Sequence, residues 1–363
     1  MQKFEIAVVG GGLVGRFAAA CLAPFANVAL IEPNQSAPLQ EIPHLRVSAL
    51  TAHSLRLLEQ AEVLPQLDEM RLGEILGMEL SDEGEHLSLR ASEISQLRLG
   101  YVVENEHLSA ALCRRLQALD YALFKTHARR LERLAQGWRV HLEGEEPIEV
   151  KLLLIAEGSG SALRRQLQVK VELMDYQQTA WVCHVETEKP HGALAYQRFL
   201  PTGTLAFLPL FKPNWSSIVW ALPSSVQFDF EALQRAFPDL GKLKLISAVG
   251  QFPLFAQNAE TYVGKDFALL GDAAHTVHPL AGQGVNLGFQ DVEALTAVLK
   301  AKEPLRAYQA RVKRHNEWYS MGFSVLNRLY QEEHGAVKTL RQLGWKGLSH
   351  LTWIKKALMQ QMS

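Results

Sequence analysis

The chain has 363 residues, 48% of them hydrophobic and 21% charged, with a formal net charge of −1. That composition excludes disordered and fibrous classes, and so neutral a balance supplies no field to gather nucleic acid, whose reading motifs are also missing. Cys21, Cys113 and Cys183 lie too far apart for a zinc site or a disulfide framework, so no metal is expected, and each cysteine reads as a small hydrophobe in a reducing compartment.

In chain order, the apolar run 6–9 predicts a buried strand. It is short, lacks a basic flank and ends in glycines, so it does not read as a signal peptide. With no stretch of bilayer-spanning length, a cytoplasmic location is expected. An alanine-rich helical segment follows to about residue 25, then a second apolar run at 28–32. Strand, glycine turn, helix and strand make a βαβ unit, which demands a parallel sheet covered on both faces. Residues 48–60 and 104–119 read as amphipathic helices, and 123–124, 138–142 and 152–156 as strands. From 179 to 222 closely spaced strands with turns between them predict an inserted antiparallel sheet, a layer able to roof a ligand cleft. A buried strand returns at 267–270, followed by helical patterns at 285–300 and 305–331. The expected fold is α/β. A discontinuous, doubly wound, Rossmann-like domain takes residues 1–72, 98–170 and 250–335. A substrate-binding β-sheet domain takes 73–97 and 171–249, and a tail spans 336–363.

Two motifs carry chemistry. In Gly10-Gly11-Gly12-Leu13-Val14-Gly15, Gly10 suits a tight turn, Gly12 lets backbone approach a pyrophosphate, and Gly15 lets the helix lie close to the strand. Phosphate oxygens would meet free N–H groups at a positive helix end. Glu32, closing the second strand, can accept hydrogen bonds from a ribose diol and would repel a 2′-phosphate, so the occupant is FAD or NAD. The second motif, Gly271-Asp272 through Gly282-Gln283-Gly284-Val285-Asn286 to Gly288, decides for FAD: plain nicotinamide binding requires none of it. Asp272, at the end of a buried strand, can bind a ribityl hydroxyl, and the 282–284 glycines offer N–H groups at a helix start.

This second segment resembles the second FAD motif of class A flavoprotein aromatic hydroxylases, which share the para-hydroxybenzoate-hydroxylase-like fold. Residues 99–105, 175–180, 198–201 and 208–210 narrow the resemblance to the ubiquinone-biosynthesis hydroxylases, over about residues 5–330. The resemblance implies an FAD-dependent monooxygenase. NAD(P)H would reduce the flavin, O2 would add as a C4a-hydroperoxide, and one oxygen would pass to the ring of a polyprenyl-phenol. It implies Arg46 near the flavin and Tyr176, Arg198 and Pro279 near the substrate. It also places Glu157-Gly158 where the family has an Asp-Gly pair serving FAD and reductant. Gln197 stands where relatives often carry glutamate. His275 and His278 flank the flavin loop and are weak candidates for moving protons. From His334 onward the chain has basic but no acidic residues, with leucines at near-helical spacing, so 336–363 is expected as an amphipathic helix on anionic lipid. Another flavoprotein of the same fold, such as a prenyl reductase, and a flavin-bound scaffold of a ubiquinone assembly are the alternatives. The Trp-x-Trp-x-Ile-Pro segment of the halogenases is missing.

Overall fold

The computed structural model describes residues 1–82, 85–200, 202–277 and 284–314. The chain opens on β1 (Lys3–Val9), α1 (Leu13–Leu22) and β2 (Val28–Ile31), with every residue of β2 buried. Next comes β3 (Val47–Thr51), running directly into α2 (Ala52–Gln60). The single helix expected over 48–60 is thus split. Residues 47–51 alternate in burial as a half-covered strand does, and Thr51 starts the helix by accepting a hydrogen bond from Ser54 N at 3.2 Å. Then follow β4 (Gly73–Ile75), β5 (Gly77–Asp82), β6 (Glu85–Arg90), β7 (Gly100–Glu104), α3 (Asn105–Gln117), β8 (Ala122–Phe124), β9 (Ala128–Arg133), β10 (Trp138–Leu142), β11 (Ile148–Ile155) and α4 (Ala162–Gln166). The next stretch is mostly sheet: β12 (Val171–Thr187), β13 (Leu194–Leu200), β14 (Gly203–Pro209), β15 (Trp215–Pro223), α5 (Phe230–Ala236), β16 (Leu243–Leu245) and β17 (Gly250–Ala259). Last come β18 (Val263–Gly264), β19 (Phe267–Leu269), β20 (His275–Thr276) and α6 (Gly284–Lys300), with 306–314 helical beyond it.

These strands make three sheets. The first is built on the parallel order β19-β11-β1-β2-β8, extended by the antiparallel strands β18, β10 and β9. Helices α1, α3 and α6 pack together against it, and a large apolar core gathers their buried faces. Between α1 and α6 the approach is tight: Phe17 meets Phe289 at 4.4 Å between ring centres, and a side chain at Gly288 would collide with Val14. The second sheet has nine strands in the order β20-β17-β12-β15-β14-β13-β5-β6, with β16 on β12. Its centre is antiparallel, but β5 joins β13 in parallel. Strand β17 starts at Gly250, where the sequence suggested a return to the first domain, and pairs instead with β12 in this second sheet. The third sheet, β3-β7-β4, lies between the other two in sequence and carries the backbone leading out of residue 46.

Residues 278–283 and 315–363 lie outside the described residues, and with them His278, Pro279, Gly282, Gln283 and the expected tail helix. Among the described residues no helix is long and apolar enough to cross a membrane.

Candidate functional site: a cofactor crevice facing an apolar sheet

Three of the expected cofactor segments leave adjacent parallel strands at their carboxyl ends: Gly10 after β1, Glu157 after β11 and Gly271 after β19. From β1 the chain winds outward in one direction to β2 and in the other to β11 and β19, so the crevice sits where strand order reverses, the usual ligand position in doubly wound sheets. The segments touch. Ala156 N donates to Val9 O at 2.8 Å, Leu270 N donates to Ile155 O at 2.9 Å, and a Cβ at Gly10, whose φ is +98°, would lie 2.5 Å from Ala156 O. Only glycine tolerates both that φ and that closeness.

The glycine turn divides its labour as the sequence implied. At Gly15 a Cβ would collide with the Gly10 carbonyl, so this glycine serves the helix–strand contact. At Gly12 a Cβ would meet nothing within 4 Å, so the space above the helix start is open. Helix α1 has neither a side-chain cap nor an acid in its first turn, leaving its N-terminal N–H groups for an anion. Glu32 lies at the rim, its two carboxylate oxygens accepting from Gly11 N at 2.5 Å and Asn34 N at 2.7 Å. That pairing fixes the carboxylate and leaves lone pairs for a ribose diol. The open cradle, uncapped helix and oriented acid fit the adenosine diphosphate half of FAD.

At the far end of the crevice, Asp272 is exposed to the cleft although dense protein surrounds it; that burial raises its pKa, while His275 and Arg46 pull the other way. The structure therefore brings Arg46 within electrostatic reach of Asp272. The Arg46 guanidinium also lies 5.3 Å from the centre of the Phe252 ring. Gly284 faces Asp272 across 3.9 Å, measured from its would-be Cβ, and Val285 packs against the main core. Asn286 is buried and ties α6 to β3, donating to Ala49 O at 2.8 Å and accepting from Thr51 N at 3.1 Å. It acts on the helix start through β3. Glu157 is drawn into local work: its Oε2 accepts from Ser161 Oγ at 2.5 Å and Leu163 N at 3.0 Å, fastening the start of α4. The extra methylene relative to aspartate gives it the reach for that clasp. Gly158 follows with φ +79°.

Facing the crevice is one side of the nine-stranded sheet. Ala180, Val182, Ala221 and Leu254 form a small apolar cluster, with Leu45, Tyr176, Val219 and Phe252 packed on it. Tyr176 and Arg46 are thus brought to one patch through Phe252 and Leu45. Arg198 is not. It pairs in register with Leu205, places its guanidinium 4.2 Å over the Phe237 ring, donates to Ala236 O at 2.5 Å and bridges Asp239. Leu205 and Phe237 belong to the cluster on the opposite side of the sheet, so the expected substrate contact through Arg198 is corrected to a structural one. Gln197, one residue earlier, registers with Ala206 and so with Val219 on the apolar side. The half of the Gln197-Arg198 pair that faces the cleft is the one that departs from the family pattern.

His275 is also placed differently from the sequence reading. It is buried, hydrogen-bonded from Nε2 to Asp291 Oδ2 at 2.6 Å, and stacked on Tyr262 at 5.7 Å between ring centres. Several positioning residues went unseen in the sequence. Glu104 is 2% exposed, accepts from His44 N at 3.0 Å and pairs with Arg71 at 2.9 Å to Nε, holding the segment that carries Leu45 and Arg46. Asn105 N adds a bond to Arg46 O at 3.0 Å. Gln257 Nε2 donates to Asp272 O at 2.8 Å and Ser159 O at 3.2 Å, and Arg164 donates to Ala273 O and Ser159 O at 2.8 and 2.7 Å, stitching two crevice loops together. A visible signal existed for one: Asp291 is an acid on the apolar face of α6. Cys21 and Cys183 are pushed up to about 12 by burial, as inert thiols are. Among the described residues no cluster of His, Cys, Asp or Glu could hold a metal ion.

Comparison with known proteins agrees with this geometry. A family model described as "FAD binding domain" matches residues 3–317. The chain is 35% identical to 3-demethoxyubiquinol 3-hydroxylase of Escherichia coli (strain K12), covering 94% of each chain. It is 32% identical to the ubiquinone hydroxylase UbiL of Rhodospirillum rubrum, over 98% of this chain and 88% of that one. Among solved structures, p-nitrophenol 4-monooxygenase PnpA from Pseudomonas putida DLL-E4 superposes with a TM-score of 0.82 at 14% identity, covering 99% of this chain and 98% of that one.

Proposed function

Because the chain belongs to the FAD binding domain family, we propose that it is a flavin monooxygenase that hydroxylates the ring of a polyprenylated phenol in ubiquinone biosynthesis, using NAD(P)H and O2. The observation that carries this reading is the crevice itself: an adenosine-diphosphate cradle at one end, Asp272 and Arg46 at the other, and an apolar sheet face opposite them. The near full-length similarity to two ubiquinone hydroxylases supports the substrate class.

Bound FAD supplies activated oxygen, chemistry that no side chain can provide. The protein's work is binding, orientation and exclusion of water. The Gly10–Gly15 turn and Glu32 would hold the adenosine diphosphate, Asp272 a ribityl hydroxyl, and Arg46 the region bordering the ring. Leu45, Tyr176, Val182, Val219 and Phe252 form the wall against which an aromatic ring could lie, and an apolar wall excludes water from the reacting centre. Among the described residues the side chains of that wall are uncharged, with Arg46 at its edge over Phe252, which suits a phenol with a hydrocarbon tail.

Deleting the gene in its host tests the assignment. A prenylated phenol lacking one ring oxygen should accumulate, read by mass spectrometry of lipid extracts, and the wild-type gene should clear it. A normal quinone pool in the deletion strain would overturn the pathway assignment.

A further inference from the structure

The buried pair His275–Asp291 braces the Gly271–Asp272 turn at the flavin end of the crevice. Both side chains are almost wholly enclosed, at 4% and 1% exposure, with 2.6 Å between Nε2 and Oδ2. The same Asp291 oxygen accepts from Gly271 N at 2.9 Å, so one carboxylate oxygen from α6 fixes both the imidazole and the amide of Gly271, the residue before Asp272. On the other side, Ala259 N bonds Ala274 O at 2.8 Å, and β20 pairs with β17 through Asn258 and Gln257. The imidazole stacks on Tyr262, whose hydroxyl donates to Asn258 Oδ1 at 2.7 Å. A buried carboxylate is costly, and an imidazolium beside it offsets that cost better than an uncharged imidazole does.

We propose that His275 is a positioning residue of the flavin site: held as a buried imidazolium by Asp291, it fixes the Gly271–Asp272 turn and keeps the Asp272 carboxylate ionised to receive the cofactor. His275 acts through Asp272 and does not touch the reacting atoms.

The surrounding charges support this assignment. Burial works against charge on His275, but Asp291, by proximity and by hydrogen bond, outweighs it, with Asp272 adding to the pull, so its pKa lies above the ordinary histidine value. From the remaining elements come the Tyr262 and Tyr308 hydroxyls, the latter donating to Leu269 O at 2.8 Å and held protonated by burial and by Asp291. Lys313 lies 5.9 Å from the Tyr262 ring centre, Arg164 sits behind Ala273, and Arg46 stands beyond Asp272. A raised histidine contributes its stabilisation fully below its unfolded value of about 6.5 and loses it as the pH climbs through the raised folded value. Asp272 works the other way: its ionised form, and with it cofactor affinity, is lost as the pH falls through its own value. Removing the positive charge at 275 must move that acid limb upward.

The test is the dissociation constant of FAD against pH, read from quenching of flavin fluorescence, for the wild-type protein and for His275→Gln, Asp291→Asn, Asp272→Asn and the His275→Gln/Asp272→Asn pair. His275→Gln should weaken FAD binding about tenfold at neutral pH and move the acid limb up by about one pH unit; Asp291→Asn, which also removes a charge that raises the Asp272 pKa, should move the limb up by less. Asp272→Asn should abolish the limb, and adding His275→Gln to it should move nothing further. An acid limb unmoved in His275→Gln would overturn the proposal. So would a shift that persists in the Asp272→Asn background. A second readout needs no variant: a ¹⁵N-histidine pH titration of the wild-type apoprotein should contain an imidazole that keeps both ring nitrogens protonated to higher pH than free histidine does, and a titration with none would overturn the proposal even where the variants fail to fold.

Discussion

Gly12→Ala should yield a protein that folds as stably as the wild type and purifies without its flavin. A methyl at this position meets no protein atom within 4 Å, and the residue's φ of −63° suits alanine, so the apoprotein has no reason to lose stability. The same methyl would occupy the space over the uncapped N-terminus of α1, where a pyrophosphate must come close to backbone N–H groups. An inserted methyl in a close-packed contact costs ~1–3 kcal/mol, so FAD affinity should fall about 10- to 100-fold. Gly15→Ala supplies the contrast. Its methyl would collide with the Gly10 carbonyl, forcing α1 away from β1, so both thermal stability and FAD binding should drop. Calorimetric unfolding of the two apoproteins, with FAD titrations beside it, separates the cases. Equal destabilisation by both substitutions would mean that Gly12 serves packing and that the open space is no cradle.

Glu104→Ala should be among the most destabilising single changes in the chain. Its carboxylate is buried, is shared between Arg71 and His44 N, and when removed leaves the Arg71 guanidinium without that carboxylate, held by Gln40 O and the Phe211 ring. Breaking one side of a buried pair costs about 3–5 kcal/mol. The loss should also reach function, because the segment held at His44 carries Leu45, in the apolar patch, and Arg46, over Phe252. Arg71→Met/Glu104→Leu, which replaces the pair by apolar groups, should recover much of the stability. It should not recover the substrate KM, since His44 N would still lack its acceptor. Denaturant unfolding and steady-state kinetics on the three proteins check this; a Glu104→Ala protein of wild-type stability would contradict it.

The parts of the fold legible in the sequence are those made by neighbours in the chain. Residues 6–32 announce a βαβ unit because every strand and turn signal lies within one crossover, and the Gly271-Asp272 segment stands out because its residues are contiguous. Strand β3 reads in sequence as part of a helix because its five residues run without a break into α2, where only Thr51 marks the change. The joining of β5 to β13 depends on strands more than a hundred residues apart, which no local pattern encodes. The same distance hid the supports of the site. Glu104 answers to His44 and Arg71, 60 and 33 residues away, and reads in sequence as a surface acid before a helix. Arg198 misled for a related reason: a strand gives its two faces to alternate residues, and only the register with Leu205 and Ala206 shows that Arg198 turns to α5 while Gln197 turns to the apolar patch.

Ring hydroxylation is tested by turnover of the purified, FAD-loaded protein with NAD(P)H and a polyprenylated phenol under ¹⁸O2. The phenol should stimulate both NAD(P)H oxidation and oxygen uptake, and one ¹⁸O atom should appear on the aromatic ring of the product. Consumption of NAD(P)H with hydrogen added to the prenyl chain and no ¹⁸O in the ring would contradict it.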